Sequence, residues 1–102
     1  MTTKNIEILN EVGLHAKPAS YFVQIATCFK NCSIWIETAD KRLNAKSAMC
    51  VLSLGISKGD IITILADGEN EELAVDVLVS IILSNFDEGL VRELFEKYSK
   101  MS

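Results

Sequence analysis

Apolar and polar positions follow two rhythms along this chain. Ile6-Glu7-Ile8-Leu9 alternates with the period of an extended segment, which predicts a strand with Ile6 and Ile8 facing inward. Beyond Pro18 the rhythm changes. Phe22, Val23, Ala26 and Phe29 recur at the spacing of a buried helical stripe. They predict a helix from about Ala16 to Cys28 or Phe29, closed by Lys30-Asn31 with Asn31 as a left-handed cap. Ser33 to Thr38 is rich in β-branched and aromatic residues and reads as a strand. A turn at Ala39–Arg42 and a short return strand, Leu43–Ala45, complete a hairpin. Lys46 to Gly55 predicts a short helix with Ser47 as its N-cap and Gly55 as its stop. Ile61 to Ala66 is the most apolar strand, expected at the centre of a sheet. A helix is expected from near Asn70, with Glu71 and Glu72 in its first turn and a stripe of Leu73, Ala74, Val77, Leu78, Ile81 and Ile82. Asn85–Gly89 breaks it. Leu90, Val91, Leu94, Phe95 and Tyr98 then form a last amphipathic stripe.

The order is β-α-β-β-α-β-α with a further helix at the end. Helices at this spacing cover one face of a small antiparallel sheet, giving a two-layer α+β domain. With 102 residues, 49% of them hydrophobic, the chain suffices for one domain with one core. The apolar run near Val75–Leu83 is interrupted by Asp76 and Ser80 and is too short to span a membrane. Met1-Thr2-Thr3-Lys4-Asn5 leads into no long apolar segment, so no signal peptide is expected. The net charge of −4 comes without a dense basic cluster, which disfavours nucleic-acid binding and suits a cytoplasmic protein. Cys28, Cys32 and Cys50 are odd in number, which argues against a disulfide framework. With a single histidine beside them, neither a zinc site nor a cofactor is expected.

Chemistry concentrates in Gly13-Leu14-His15-Ala16-Lys17-Pro18-Ala19-Ser20, which holds the only histidine and the only proline. Pro18 lacks an N–H and has a preset φ, so it suits the first turn of a helix. His15 then stands at the N-terminal edge, on a turn that Gly13 permits. The free N–H groups of a first turn and the positive end of the helix dipole form an anion site. Lys17 adds a formal cation. An imidazole beside waiting donors and a cation suits a histidine that accepts and passes on a phosphoryl group. The plainer reading is a solvated histidine or a weak cap.

These residues closely resemble the active-site motif of the HPr family, the histidine-containing phosphocarriers of the phosphoenolpyruvate:sugar phosphotransferase system. A second motif agrees. Asn44-Ala45-Lys46-Ser47-Ala48-Met49, followed by Val51-Leu52-Ser53-Leu54-Gly55, is similar to the family's regulatory-serine segment in its Gram-positive form. The resemblance covers about Thr3 to Phe86 and implies an open-faced β-sandwich. On this reading residues 1–86 form the HPr-like domain and 87–102 a C-terminal extension of it. That extension either packs on the domain as an extra helix, mediates self-association or stays a solvated, frayed helix. The resemblance also implies roles. His15 accepts the phosphoryl group from enzyme I and gives it to an enzyme IIA, so the protein is a carrier rather than a turnover enzyme. The N–H groups of Ala16 and Lys17 contact the phosphate. Ser47 is the site of regulatory phosphorylation by an HPr kinase/phosphorylase, and its other role is that of a plain helix cap. Met49 and Leu52, three apart on the short helix, present an apolar docking patch to partners. The family usually carries arginine where Lys17 stands, which replaces a planar fork by a point charge. A second reading is therefore a regulatory adaptor that signals through Ser47 to a transcription regulator.

Overall fold

The computed structural model describes residues 1–101. Its elements are β1 (Thr2–Glu7), α1 (Ala16–Ala26), β2 (Cys32–Glu37), β3 (Arg42–Asn44), α2 (Ala48–Ser53), β4 (Ile61–Gly68), α3 (Glu71–Leu83) and α4 (Glu88–Tyr98). The four strands form one antiparallel sheet in the order β1-β4-β2-β3, which places the apolar β4 inside it as expected.

Period-two alternation divides the sheet into two faces. Ile6, Ile34, Ile36, Ile62, Ile64 and Ala66 point into the core, where Phe22 and Ile25 of α1 and Leu78 and Ile81 of α3 meet them. Fully burying one of these isoleucine, leucine or phenylalanine side chains is worth about 1.5–3 kcal/mol relative to exposure. The opposite face carries no helix. There Thr63 Oγ1 donates to Asn5 Oδ1 at 2.7 Å, and Leu65 lies directly across from the half-buried Trp35.

Three local expectations change. α1 ends at Ala26 rather than at Cys28 or Phe29. Both residues are buried, so the apolar stripe continues past the helix, but their N–H groups reach only to Ile25 and Ala26, three residues back. Lys46 Nζ then donates to the carbonyls of Phe29 and Cys32, which closes this connection from outside. Asn31 is not left-handed; among the described residues, Ala16, Asn70, Asn85 and Phe86 are the non-glycine residues with positive φ. The Asn31 carbonyl instead accepts from the Glu69 N–H at 2.9 Å, and its side chain donates to Glu69 Oε2 at 3.2 Å. Asn31 is thereby tied to the end of β4. The first strand also begins earlier than its apolar residues suggest and stops at Glu7.

α4 packs its apolar stripe onto the domain. Val91 is buried, and Leu94, Phe95 and Tyr98 lie against the core. The rings of Tyr98 and Phe29 are 5.8 Å apart, centroid to centroid. Such a pair adds about 0.5–1.5 kcal/mol beyond its burial. Asp87 caps the helix, accepting from the Leu90 N–H at 2.9 Å. The extension is thus a helix packed on the domain rather than a solvated, frayed one. Cys28 and Cys32 are buried, Cys50 is partly exposed, and all three are free. Burial pushes the thiols of Cys28 and Cys32 up, away from the reactive thiolate. Among the described residues, no helix is long and apolar enough to cross a membrane.

Candidate functional site

The loop before α1 is built to present His15. Gly13 takes φ +65°, and a Cβ there would run into the Ile56 carbonyl, so the position requires glycine. The Asn10 side chain donates to the Gly13 carbonyl at 2.9 Å, and the Gly13 N–H returns to the Asn10 carbonyl at 3.2 Å. Leu14 is fully buried, and its N–H reaches the Ile56 carbonyl at 3.0 Å. This anchoring leaves the next residue, His15, exposed.

His15 is the N-cap of α1, in extended geometry, and its side chain makes no capping hydrogen bond. Ala16 follows with φ +50°, a left-handed conformation that costs an alanine about 1–2 kcal/mol. The chain thus turns sharply between an extended His15 and a helical Lys17. Pro18 occupies the first turn, as its geometry dictates. The first-turn N–H groups of Ala16 and Lys17 have no intrahelical acceptor. No acidic residue lies in that turn to offset the positive helix end. Lys17 is exposed and makes no ion pair among the described residues. The imidazole, the free donors and the cation therefore share one exposed corner, suited to an anion carried on the ring.

α2 lies beside α1. Ala16, Ala19, Ser20 and Val23 of α1 face Ala48 and Leu52 of α2 across a shallow groove. Met49 and Leu52 are 83% and 45% exposed, so the apolar patch expected here is open to solvent. Leu52 lines the groove; Met49 stands outside its lining. Ser47 caps α2, with its Oγ accepting from the Cys50 N–H at 3.3 Å. It immediately precedes Ala48, so the serine stands at the end of the same groove.

A second group of residues surrounds Lys17, and local sequence pattern indicates only part of it. Lys17, Tyr21 and Glu11 line one cavity with Glu88 from α4. The Tyr21 hydroxyl donates to Glu88 Oε1 at 2.8 Å. That bond, with some burial and the negative charge of Glu88, pushes the Tyr21 phenol above its ordinary range, against an opposing effect of Arg92. Glu11 pairs with Lys58 at 2.8 Å, which holds its carboxyl below the ordinary value. An i, i+4 step on α1 places Tyr21 over Lys17, a clue visible in the sequence. Its partner 67 residues away is not.

Residues 2–84 match the family model described as PTS HPr component phosphorylation site. The phosphocarrier protein HPr of Neisseria meningitidis is 38% identical over 89 residues, 87% of this chain and 99% of the relative. The crystal structure of HPr-C-His from Thermoanaerobacter tengcongensis superposes with a TM-score of 0.82 at 46% identity, over 84% of this chain and 96% of that one. The solution structure of Crh, the Bacillus subtilis catabolite repression HPr, superposes with a TM-score of 0.60 at 36% identity, over 79% of this chain and 95% of that one.

Proposed function

The chain belongs to the HPr family, and from that premise we propose that it carries a phosphoryl group on His15, taken from enzyme I and passed to an enzyme IIA of the sugar phosphotransferase system. Members of the family are phosphocarriers, not turnover enzymes. The observation that carries the reading is the exposed, uncapped His15 at the start of α1, next to an unpaired Lys17.

The proposed step is a displacement at phosphorus. A ring nitrogen of His15 attacks the phosphoryl group on the donor. The new P–N bond forms as the bond to the donor breaks, and the donor keeps that electron pair. The N–H groups of Ala16 and Lys17 bind the non-bridging oxygens, and the Lys17 ammonium offsets their charge. Transfer to enzyme IIA is the same displacement, with His15 as the leaving group. Met49 and Leu52 supply the apolar contact that seats both partners over the groove, in the cytoplasm. The test is incubation with enzyme I and phosphoenolpyruvate, read by intact mass. One acid-labile phosphoryl group is expected on the native chain and none on His15→Ala. Undiminished labelling of that variant overturns the assignment.

A second reading rests on Ser47 and on the likeness to the catabolite repression relative. Here Ser47 is phosphorylated by an HPr kinase/phosphorylase, and the product docks a transcription regulator. The added charge, about −1.5 to −2, falls at a helix start, where it is tolerated. ATP-dependent labelling that Ser47→Ala abolishes, together with binding of a regulator but no transfer from enzyme I, favours this reading.

A further inference from the structure

Lys17 serves the proposed phosphoryl site only while it remains unpaired, and two carboxylates line the cavity it shares. Each is engaged elsewhere. Glu11 pairs with Lys58 at 2.8 Å, and Glu88 accepts a hydrogen bond from the Tyr21 hydroxyl at 2.8 Å. Lys17 makes no ion pair among the described residues. The backbone at Glu88 is also fixed in place. This residue opens α4, whose N-cap Asp87 holds the Leu90 N–H and whose Val91 is buried. Its carboxylate is therefore held within reach of this corner, and what varies is its hydrogen-bond partner.

We infer that Tyr21 is a positioning residue: by holding the Glu88 carboxylate, it keeps Lys17 the uncompensated cation beside His15. Tyr21 lies one turn beyond Lys17 on α1, so its hydroxyl and the ammonium compete for the same carboxylate. With its phenol raised above the ordinary range, Tyr21 stays protonated, and so a donor, at neutral pH. The charge of Arg92 also acts on this tyrosine, in the opposite direction. Without the hydroxyl, Glu88 swings to Lys17, and the pair takes from the phosphoryl oxygens the charge that would stabilise them. The C-terminal helix thus sets the strength of the site without touching the transferred group. The inference rests on the carrier reading of His15.

The test compares the full chain with Tyr21→Phe, Glu88→Gln and the double variant as phosphoryl acceptors for enzyme I, with thermal unfolding measured alongside. Tyr21→Phe is expected to slow transfer about two- to fivefold, the weight of one exposed ion pair. Adding Glu88→Gln restores the native rate, because no carboxylate remains to capture Lys17. Glu88→Gln alone transfers at the native rate or above it. A merely structural role for Tyr21 gives no such rescue. A double variant as slow as Tyr21→Phe, or a Tyr21→Phe at the native rate, overturns the inference. A readout independent of transfer is the Lys17 ammonium signal in nitrogen-15 NMR. It sharpens on pairing in Tyr21→Phe and returns in the double variant. Its failure to change overturns the inference even where the native chain accepts no phosphoryl group, an outcome that counts against the carrier reading instead.

Discussion

Two helix starts meet at one groove, and they are built in opposite ways. α2 begins conventionally: Ser47 is extended, and its hydroxyl oxygen accepts from the Cys50 N–H. α1 begins at His15, whose side chain bonds nothing in its own helix, and continues through a left-handed Ala16. A capped start has its donors satisfied and is stable as it stands. An uncapped start keeps its donors for something else, and in α1 the backbone bears a conformational cost to arrange it. On the proposed reading the difference separates two uses of phosphate. At His15 the fold would wait for the group. At Ser47 a hydroxyl already serves the fold, and a covalent change would act on a completed structure.

The sharpest way to break this contrast is to remove each residue in turn. His15→Ala is expected to abolish acceptance of the phosphoryl group while shifting stability by no more than about 0.5 kcal/mol, since no fold contact is lost. Intact mass and thermal unfolding read the two effects separately. Ser47→Ala is expected to do the reverse, leaving transfer from enzyme I intact and costing about 1 kcal/mol of stability through the lost cap. Urea unfolding measures that cost, and Ser47→Asp recovers most of it. Ala16→Gly sharpens the comparison from the other side. It relieves the left-handed alanine and is expected to raise stability by up to about 1 kcal/mol. Freer His15 geometry is expected to accompany it and to lower the transfer rate, which stopped-flow kinetics with enzyme I would record.

The smallest effect concerns α3, whose start is neither site. Glu71 accepts from the Thr2 hydroxyl at 2.6 Å and from the Gly68 N–H at 3.2 Å. These bonds, with the Met1 amine nearby, hold its carboxyl below the ordinary value of 4.5. A lowered carboxyl stabilises the fold fully above its unfolded value, and that contribution disappears as pH falls through the folded one. Glu71→Gln is therefore expected to lower stability slightly at neutral pH, where the ionised carboxylate contributes, and to flatten the acid limb of a stability–pH curve below about pH 4.5, where the native chain and the variant converge.

Much of this architecture follows from short-range pattern. The stripes of α1, α3 and α4 and the apolar run of β4 each report a face that must be buried. Ser47 and Pro18 mark helix starts through bonds or torsions confined to a single turn. What escapes the pattern depends on distant partners. Thr2 to Asn5 carry no apolar alternation, yet they form a strand because β4 offers them a ladder. Cys28 and Phe29 continue a helical stripe outside any helix because Lys46, far along the chain, ties off the carbonyls there. At the site, His15 and Lys17 were legible from their spacing, whereas the Tyr21–Glu88 bond joins two elements through the folded domain alone.

The single tryptophan has a practical use. Trp35 lies half-buried on the bare side of the sheet, across from Leu65, with the helices and the His15 corner on the other side. Its fluorescence is an optical probe built into the domain, sensitive to loss of the sheet and insulated from events at His15. An emission change on adding a partner would signal a ligand on the strands, whereas a silent signal during phosphoryl exchange would confine the traffic to the helical side.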